Sequence, residues 1–166
     1  MLQVSCLLSL SDTKVKDLSP LAELTSLETL DVADTQVCEV SPLAALTSVK
    51  VLELSETQVK DVSPLSGLTS LEELNLVGTQ VSDVSPLAGL KSLKTLSLDR
   101  TCVSDVSPLS RMTRLTSLKL RDTRVSDVMS LAVLTNLQEL DLRGTMVRWE
   151  PRAELGRSLP KCRIRY

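Results

Sequence analysis

The sequence predicts an α/β solenoid: a curved array whose short parallel strands form one concave sheet and whose short helical turns line the convex side. Two observations predict it. Threonine recurs every 22 residues, at Thr13, Thr35, Thr57, Thr79, Thr101, Thr123 and Thr145, each time closing the pattern Leu-x-Leu/Val-x-x-Thr. A fixed period of this length marks units too small to bury their own apolar faces, which stack and bury one another's. The apolar positions also keep register: Leu71, Leu74, Leu76, Val81, Val84, Leu87 and Leu90 in one unit match Val49, Leu52, Leu54, Val59, Val62, Leu65 and Leu68 in the unit before.

Each element follows from a local pattern. In Leu74-Asn75-Leu76 a polar residue sits between two apolar ones, the alternation of a strand with one face buried. One such strand per unit gives about seven, stacked about 4.8 Å apart into a sheet about 30 Å long. After the strand comes Asp83-Val84-Ser85-Pro86-Leu87. Proline suits the first position of a helical turn and serine is expected to cap it, so the return side is a short 3₁₀ or α turn. Ser-Pro-Leu recurs with Pro20, Pro42, Pro64, Pro86 and Pro108, and Met129-Ser130-Leu131 replaces it in the next unit, which predicts a slightly altered turn there.

Two polar columns run through the array. The threonine methyl packs inward while its hydroxyl is expected to join a hydroxyl ladder along the column, a structural role. The acidic column of Asp17, Glu39, Asp61, Asp83, Asp105 and Asp127 is read as accepting backbone N–H groups at the start of the return turn. Calcium is the competing reading, but the clustered oxygen ligands of a calcium loop are missing, and no cofactor is expected. The array covers residues 1–148 and a C-terminal cap covers 149–166: the pattern breaks at Trp149, Arg152 to Ser158 reads as a short helix before Pro160, and Cys162 to Tyr166 reads as extended. At the other end Leu8 and Leu10 occupy the register of Leu74 and Leu76 with no capping unit ahead of them. On this reading the chain is either a fragment of a longer protein or presents an apolar end that self-associates.

With its Ser-Asp-x-Ser-Pro-Leu stretch after the strand, the unit resembles the 22-residue class of leucine-rich repeats, bacterial internalins in particular. The same period is similar to that of the leucine-rich-repeat regulatory subunit of protein phosphatase 1. Leu159-Pro160-x-Cys162-x-Ile164 is similar to the closing segment of many bacterial arrays, whereas these families usually carry asparagine where this chain has threonine. The resemblance implies a non-catalytic module that binds a protein partner on its concave wall. Strand alternation then supplies the candidate residues: a middle column of Asp31, Glu53, Asn75, Ser97, Lys119 and Asp141, flanked by Glu73, Thr95, Asp99, Ser117, Arg121, Glu139 and Arg143. Any one of these also suits a plain solvated strand face. With Trp149 and Tyr166 the only aromatics, the interface is expected to be polar, and Arg121 and Arg143, able to grip a carboxylate with two bonds, are the expected anchors.

Composition argues against other classes. There is no histidine, no phosphate-binding glycine loop and no metal-ligand spacing among the four scattered cysteines, and the adjacent Glu72 and Glu73 point to opposite faces of a strand. Nucleic acid is disfavoured: Arg111, Arg114, Arg121, Arg124, Arg143 and Arg148 would suit it, but the net charge of −2 and the scarcity of stacking aromatics do not. Residues 1–83 carry 4 Lys against 13 Asp and Glu (net −9), and residues 84–166 carry 15 basic against 8 acidic (net +7). This asymmetry is either uneven surface decoration, a gradient that orients a partner, or a drive to head-to-tail self-association at low salt. No apolar run approaches membrane-spanning length. Cysteines in unrelated columns point to a reducing, cytoplasmic compartment; the alternative is a recognition segment of a larger exported adhesin, effector or multidomain enzyme.

Overall fold

The computed structural model describes residues 6–166; residues 1–5, at the start of the segment assigned to strand register, lie outside them. Eight strands form one parallel sheet in sequence order: β1 (Leu7–Ser9), β2 (Thr29–Asp31), β3 (Val51–Glu53), β4 (Glu73–Asn75), β5 (Thr95–Ser97), β6 (Ser117–Lys119), β7 (Glu139–Asp141) and β8 (Arg163–Arg165). The register is the repeat itself, since Leu30 faces Leu52 and Leu52 faces Leu74. The eighth strand extends the expected seven. The closing segment pairs with β7 and sets Ile164 beside Leu140, so it continues the sheet beyond the last repeat.

All seven inward positions of the unit from Leu71 to Leu90 are buried, as are those of the unit before it. The core is one continuous column of leucine and valine, with Met112, from Leu18 to Leu159. It works because each 22-residue unit presents the same side chains at the same height, so neighbours interdigitate without a larger side chain to bridge them.

The return side is built of 3₁₀ turns: Ser19–Leu21, Ser41–Ala45, Ser63–Gly67, Ser85–Gly89, Ser107–Arg111 and Met129–Val133. The expectation that serine caps them is wrong. Valine precedes each five-residue turn, serine is already the first residue of all but Met129–Val133, and no side chain of the preceding residue makes the capping bond. The aspartate two residues before the serine does this instead: Oδ1 of Asp17, Asp61, Asp83 and Asp105 accepts the serine N–H at 2.8 Å. Asp127 accepts the Met129 N–H at 2.9 Å, so the turn that lacks proline keeps the same five-residue length, against the expected alteration. At Asp17, Asp61 and Asp105 the bonds to the following serines favour the ionised carboxylate and lower its pKa. The stability they supply is therefore present at neutral pH and lost as pH falls through the lowered values. The cap helix α1 (Trp149–Ser158) begins three residues before the expected Arg152.

Each threonine hydroxyl donates to the carbonyl three residues earlier in its own turn, at 2.6 to 2.7 Å, from Thr13 to Leu10 through Thr145 to Leu142. The column thus closes seven separate turns instead of forming the expected hydroxyl ladder between units, because each hydroxyl reaches a carbonyl of its own turn. Thr79→Val keeps the shape and removes the bond, and it is expected to cost about 1 kcal/mol, measured by urea denaturation. A cost near zero would mean that the hydroxyl contributes nothing beyond its methyl neighbour. The residue before each threonine sits in the left-handed region, with φ between 54° and 71° at Asp12, Asp34, Glu56, Gly78, Arg100, Asp122 and Gly144. Only two of these seven are glycine, so the turn holds five side chains in a conformation they disfavour.

Candidate functional site

The outward positions of β2 to β7 line up in register across the concave wall, Asp31 beside Glu53, Glu53 beside Asn75, Ser97 beside Lys119 and Lys119 beside Asp141. Many of these groups are engaged by the protein itself. Asp31 accepts the Ala33 N–H and the Ser9 hydroxyl, each at 3.0 Å, and Asn75 accepts the Val77 N–H at 3.0 Å. Asp99 accepts the Arg121 N–H at 2.8 Å. Ser97 and Asp141 are only 7% and 4% exposed, so they form the floor of the wall and not its contact surface. Thr95 and Ser117, short, half-buried and registered with each other on β5 and β6, keep the wall low beside that floor.

The arginines that the sequence favours as anchors are already occupied. Arg143 holds the buried Asp141 carboxylate through Nε at 2.9 Å, and this contact lowers the Asp141 pKa. Arg121 turns to Asp122 at 3.1 Å, and Glu139 is paired with Arg165 at 3.2 Å. Other acids of the wall have no such partner: among the described residues Asp31, Glu53, Glu73 and Asp99 form no ion pair, and Lys119 and Arg163 are the unpaired cations of the wall. Burial pushes the Glu53 pKa up, and the charges of Asp31 and Glu73 add to it. Burial likewise raises Asp99, helped by Asp141. Four unpaired carboxylates against two unpaired cations leave the free charge of the wall mainly negative, and where it is partly desolvated, at Glu53 and Asp99, an incoming cation stabilises it.

Just past the strand ends lies a cavity of about 310 Å³ lined by Val77, Asp99, Arg100 and Arg121. Arg100 forms part of it because its guanidinium pairs with Glu56, two units away. That pair passes over Gly78, where a Cβ would lie 2.5 Å from a Glu56 carboxylate oxygen. The sequence reading missed Val77 and Arg100. The signal was the succession acid, glycine, base at Glu56, Gly78 and Arg100 in the column before threonine. No cluster of histidine, cysteine and acids suited to a metal occurs among the described residues, and no described helix is long and apolar enough to cross a membrane.

Comparison with known proteins agrees with this architecture. Two copies of the Leucine Rich repeats pattern match residues 47–89 and 69–111. No curated protein sequence matches the chain. Among solved structures, an internalin C2 of Listeria monocytogenes is 38% identical with a TM-score of 0.88, over 96% of this chain and 70% of that one. An internalin F of the same organism is 33% identical with a TM-score of 0.90, and the chain spans 46% of its length. A leucine-rich repeat protein of Leptospira interrogans, 24% identical over 96% of this chain and 42% of its own, shares the fold with a TM-score of 0.90. With the repeat pattern, the eight-stranded parallel sheet and this identity to internalin C2 together, the chain belongs to the internalin-like leucine-rich repeat proteins.

Proposed function

We propose that the chain is a non-catalytic protein-binding module whose concave wall receives a cationic segment of its partner. The observation that carries this reading is the division of charge on the wall: Arg143, Arg121 and Arg165 are tied to Asp141, Asp122 and Glu139, while Glu53, Glu73 and Asp99 are left without an ion-pair partner among the described residues. The interface is polar, as the lack of aromatics on this face requires. Arg121 and Arg143 act as supports for the wall, and Glu53 and Glu73 replace them as the anchors.

Capture from a cell lysate with quantitative mass spectrometry tests this. Glu53→Lys with Glu73→Lys, neither of which caps a backbone group, is expected to lose the captured partner, while circular dichroism stays unchanged. Lys119→Glu is expected to retain or strengthen capture. The opposite pattern, loss with Lys119→Glu and retention with the lysine pair, would sink the reading. Affinity for the recovered partner should also fall on mild acidification, because raised pKa values make Glu53 and Asp99 lose charge before ordinary carboxylates do.

A second reading, a recognition segment of a larger exported adhesin or effector, draws support from the chain spanning less than half of the internalin F length. The four free thiols, Cys6, Cys38, Cys102 and Cys162, favour the reducing cytoplasm for the stand-alone module.

A further inference from the structure

The rising side of the solenoid, between each strand and its return turn, is held by a backbone ladder from Gln36 N–H on Val15 to Met146 N–H on Val125 at 2.8 Å. The ladder places residues 22 apart side by side. For six units this flank is polar, with Lys14, Gln36, Gln58, Gln80, Cys102 and Arg124 in one column. In the seventh unit Met146 takes that column and Trp149 takes the acidic one, and they are 64% and 78% exposed. Beside them Arg124 and Arg148 are exposed and belong to no ion pair among the described residues.

Four units back, the same flank holds a groove of about 240 Å³ lined by Cys38, Glu39, Gln58, Lys60, Asp61 and Gln80. This is room for an indole, with two carboxylates at its rim for an arginine and a lysine able to lie over the ring. We propose that this flank is a self-association surface on which two copies pack antiparallel, the Trp149 of each entering the groove of the other. Arg148 then meets Glu39 and Asp61 of the second copy.

A two-fold axis makes both contacts at once. Trp149 lies four repeats beyond Asp61, so the axis falls beside Asp105, midway in sequence and in the stack. This arrangement also sets the acidic half of each chain, net −9, against the basic half of the other, net +7. Four units at about 4.8 Å per unit span only about 19 Å, so the interface belongs to the small, weak and salt-sensitive class. The groove and the apolar pair occur on the same flank of one molecule with opposite charge around them, which favours a second copy over an unrelated acidic protein.

Trp149 is the only tryptophan, so its fluorescence reports its own burial. Sedimentation equilibrium on the full chain is expected to show a monomer becoming a dimer at about 100 µM at low salt, with a blue shift of emission, both reversed by salt. Arg148→Glu and Glu39→Arg are each expected to weaken association about tenfold, and their combination to restore it. Glu39 is the one acid of its column that caps no turn N–H, so its replacement leaves the fold intact. Trp149→Ala should abolish the dimer, and Glu53→Lys with Glu73→Lys should leave it unchanged, which separates this surface from the concave one. A monomer under all conditions, a dimer indifferent to Trp149→Ala, a dimer lost with the concave-wall pair, or failure of the combined charge swap to restore association would each overturn the proposal.

Discussion

Leu96→Ala is expected to cost about 3 to 5 kcal/mol in urea denaturation, the range for a fully buried leucine whose cavity cannot collapse. Leu96 lies in β5 with no exposed surface, between Leu74 and Leu118 on the neighbouring strands. Those neighbours are held by their own units, so none can move in to fill the space. The position is also central, and a weakened middle unit splits the array into two shorter stacks. The denaturant slope should therefore fall along with the midpoint. Leu8→Ala, at a half-buried position of the edge strand β1, should cost less than about 1 kcal/mol with no change of slope. Equal costs at the two sites would contradict stability summed over stacked units.

Gly144→Val is expected to cost about 2 to 4 kcal/mol, read as a lower thermal midpoint. Gly144 has φ 71°, where a β-branched side chain is strained, and an added Cβ would collide with a carboxylate oxygen of Asp122 and lie 3.2 Å from its backbone nitrogen. The oxygen can swing away, but the backbone nitrogen cannot. Gly78→Ala should cost less, since the atoms its Cβ would meet all belong to the end of the flexible Glu56 side chain. Asp34→Gly, in the same turn with φ 54°, should change stability by less than about 1 kcal/mol. Relief of left-handed strain and the extra unfolded-state freedom of glycine oppose each other there. A cost at Gly144 no larger than at Gly78 would mean that the turn shifts to admit a side chain.

The fold was legible because each unit restates it. Strand register, inward positions and the role of the aspartate column could all be read from residues at most a few positions apart, multiplied by seven copies. The errors arose where a role depends on one residue's exact place in a turn. Serine and aspartate both cap turns, and the choice between them rests on serine being the first turn residue at Ser63, Ser85 and Ser107. The extended closing segment was legible, but its place as an eighth strand of the sheet was not, because Ile164 stands outside the 22-residue spacing, following Leu140 by 24.

The candidate wall was legible in position and not in charge. Alternation along a strand is a local property, so the sequence by itself determined which residues face outward and which build the core. Whether an outward charge is free for a partner depends on side chains meeting across units or around a turn. Arg143 lies over Asp141, Arg121 turns to Asp122, and Glu56 reaches over Gly78 to Arg100. Only the tertiary structure decided those pairings, because long side chains choose their partner by distance and burial, which the 22-residue period leaves unspecified.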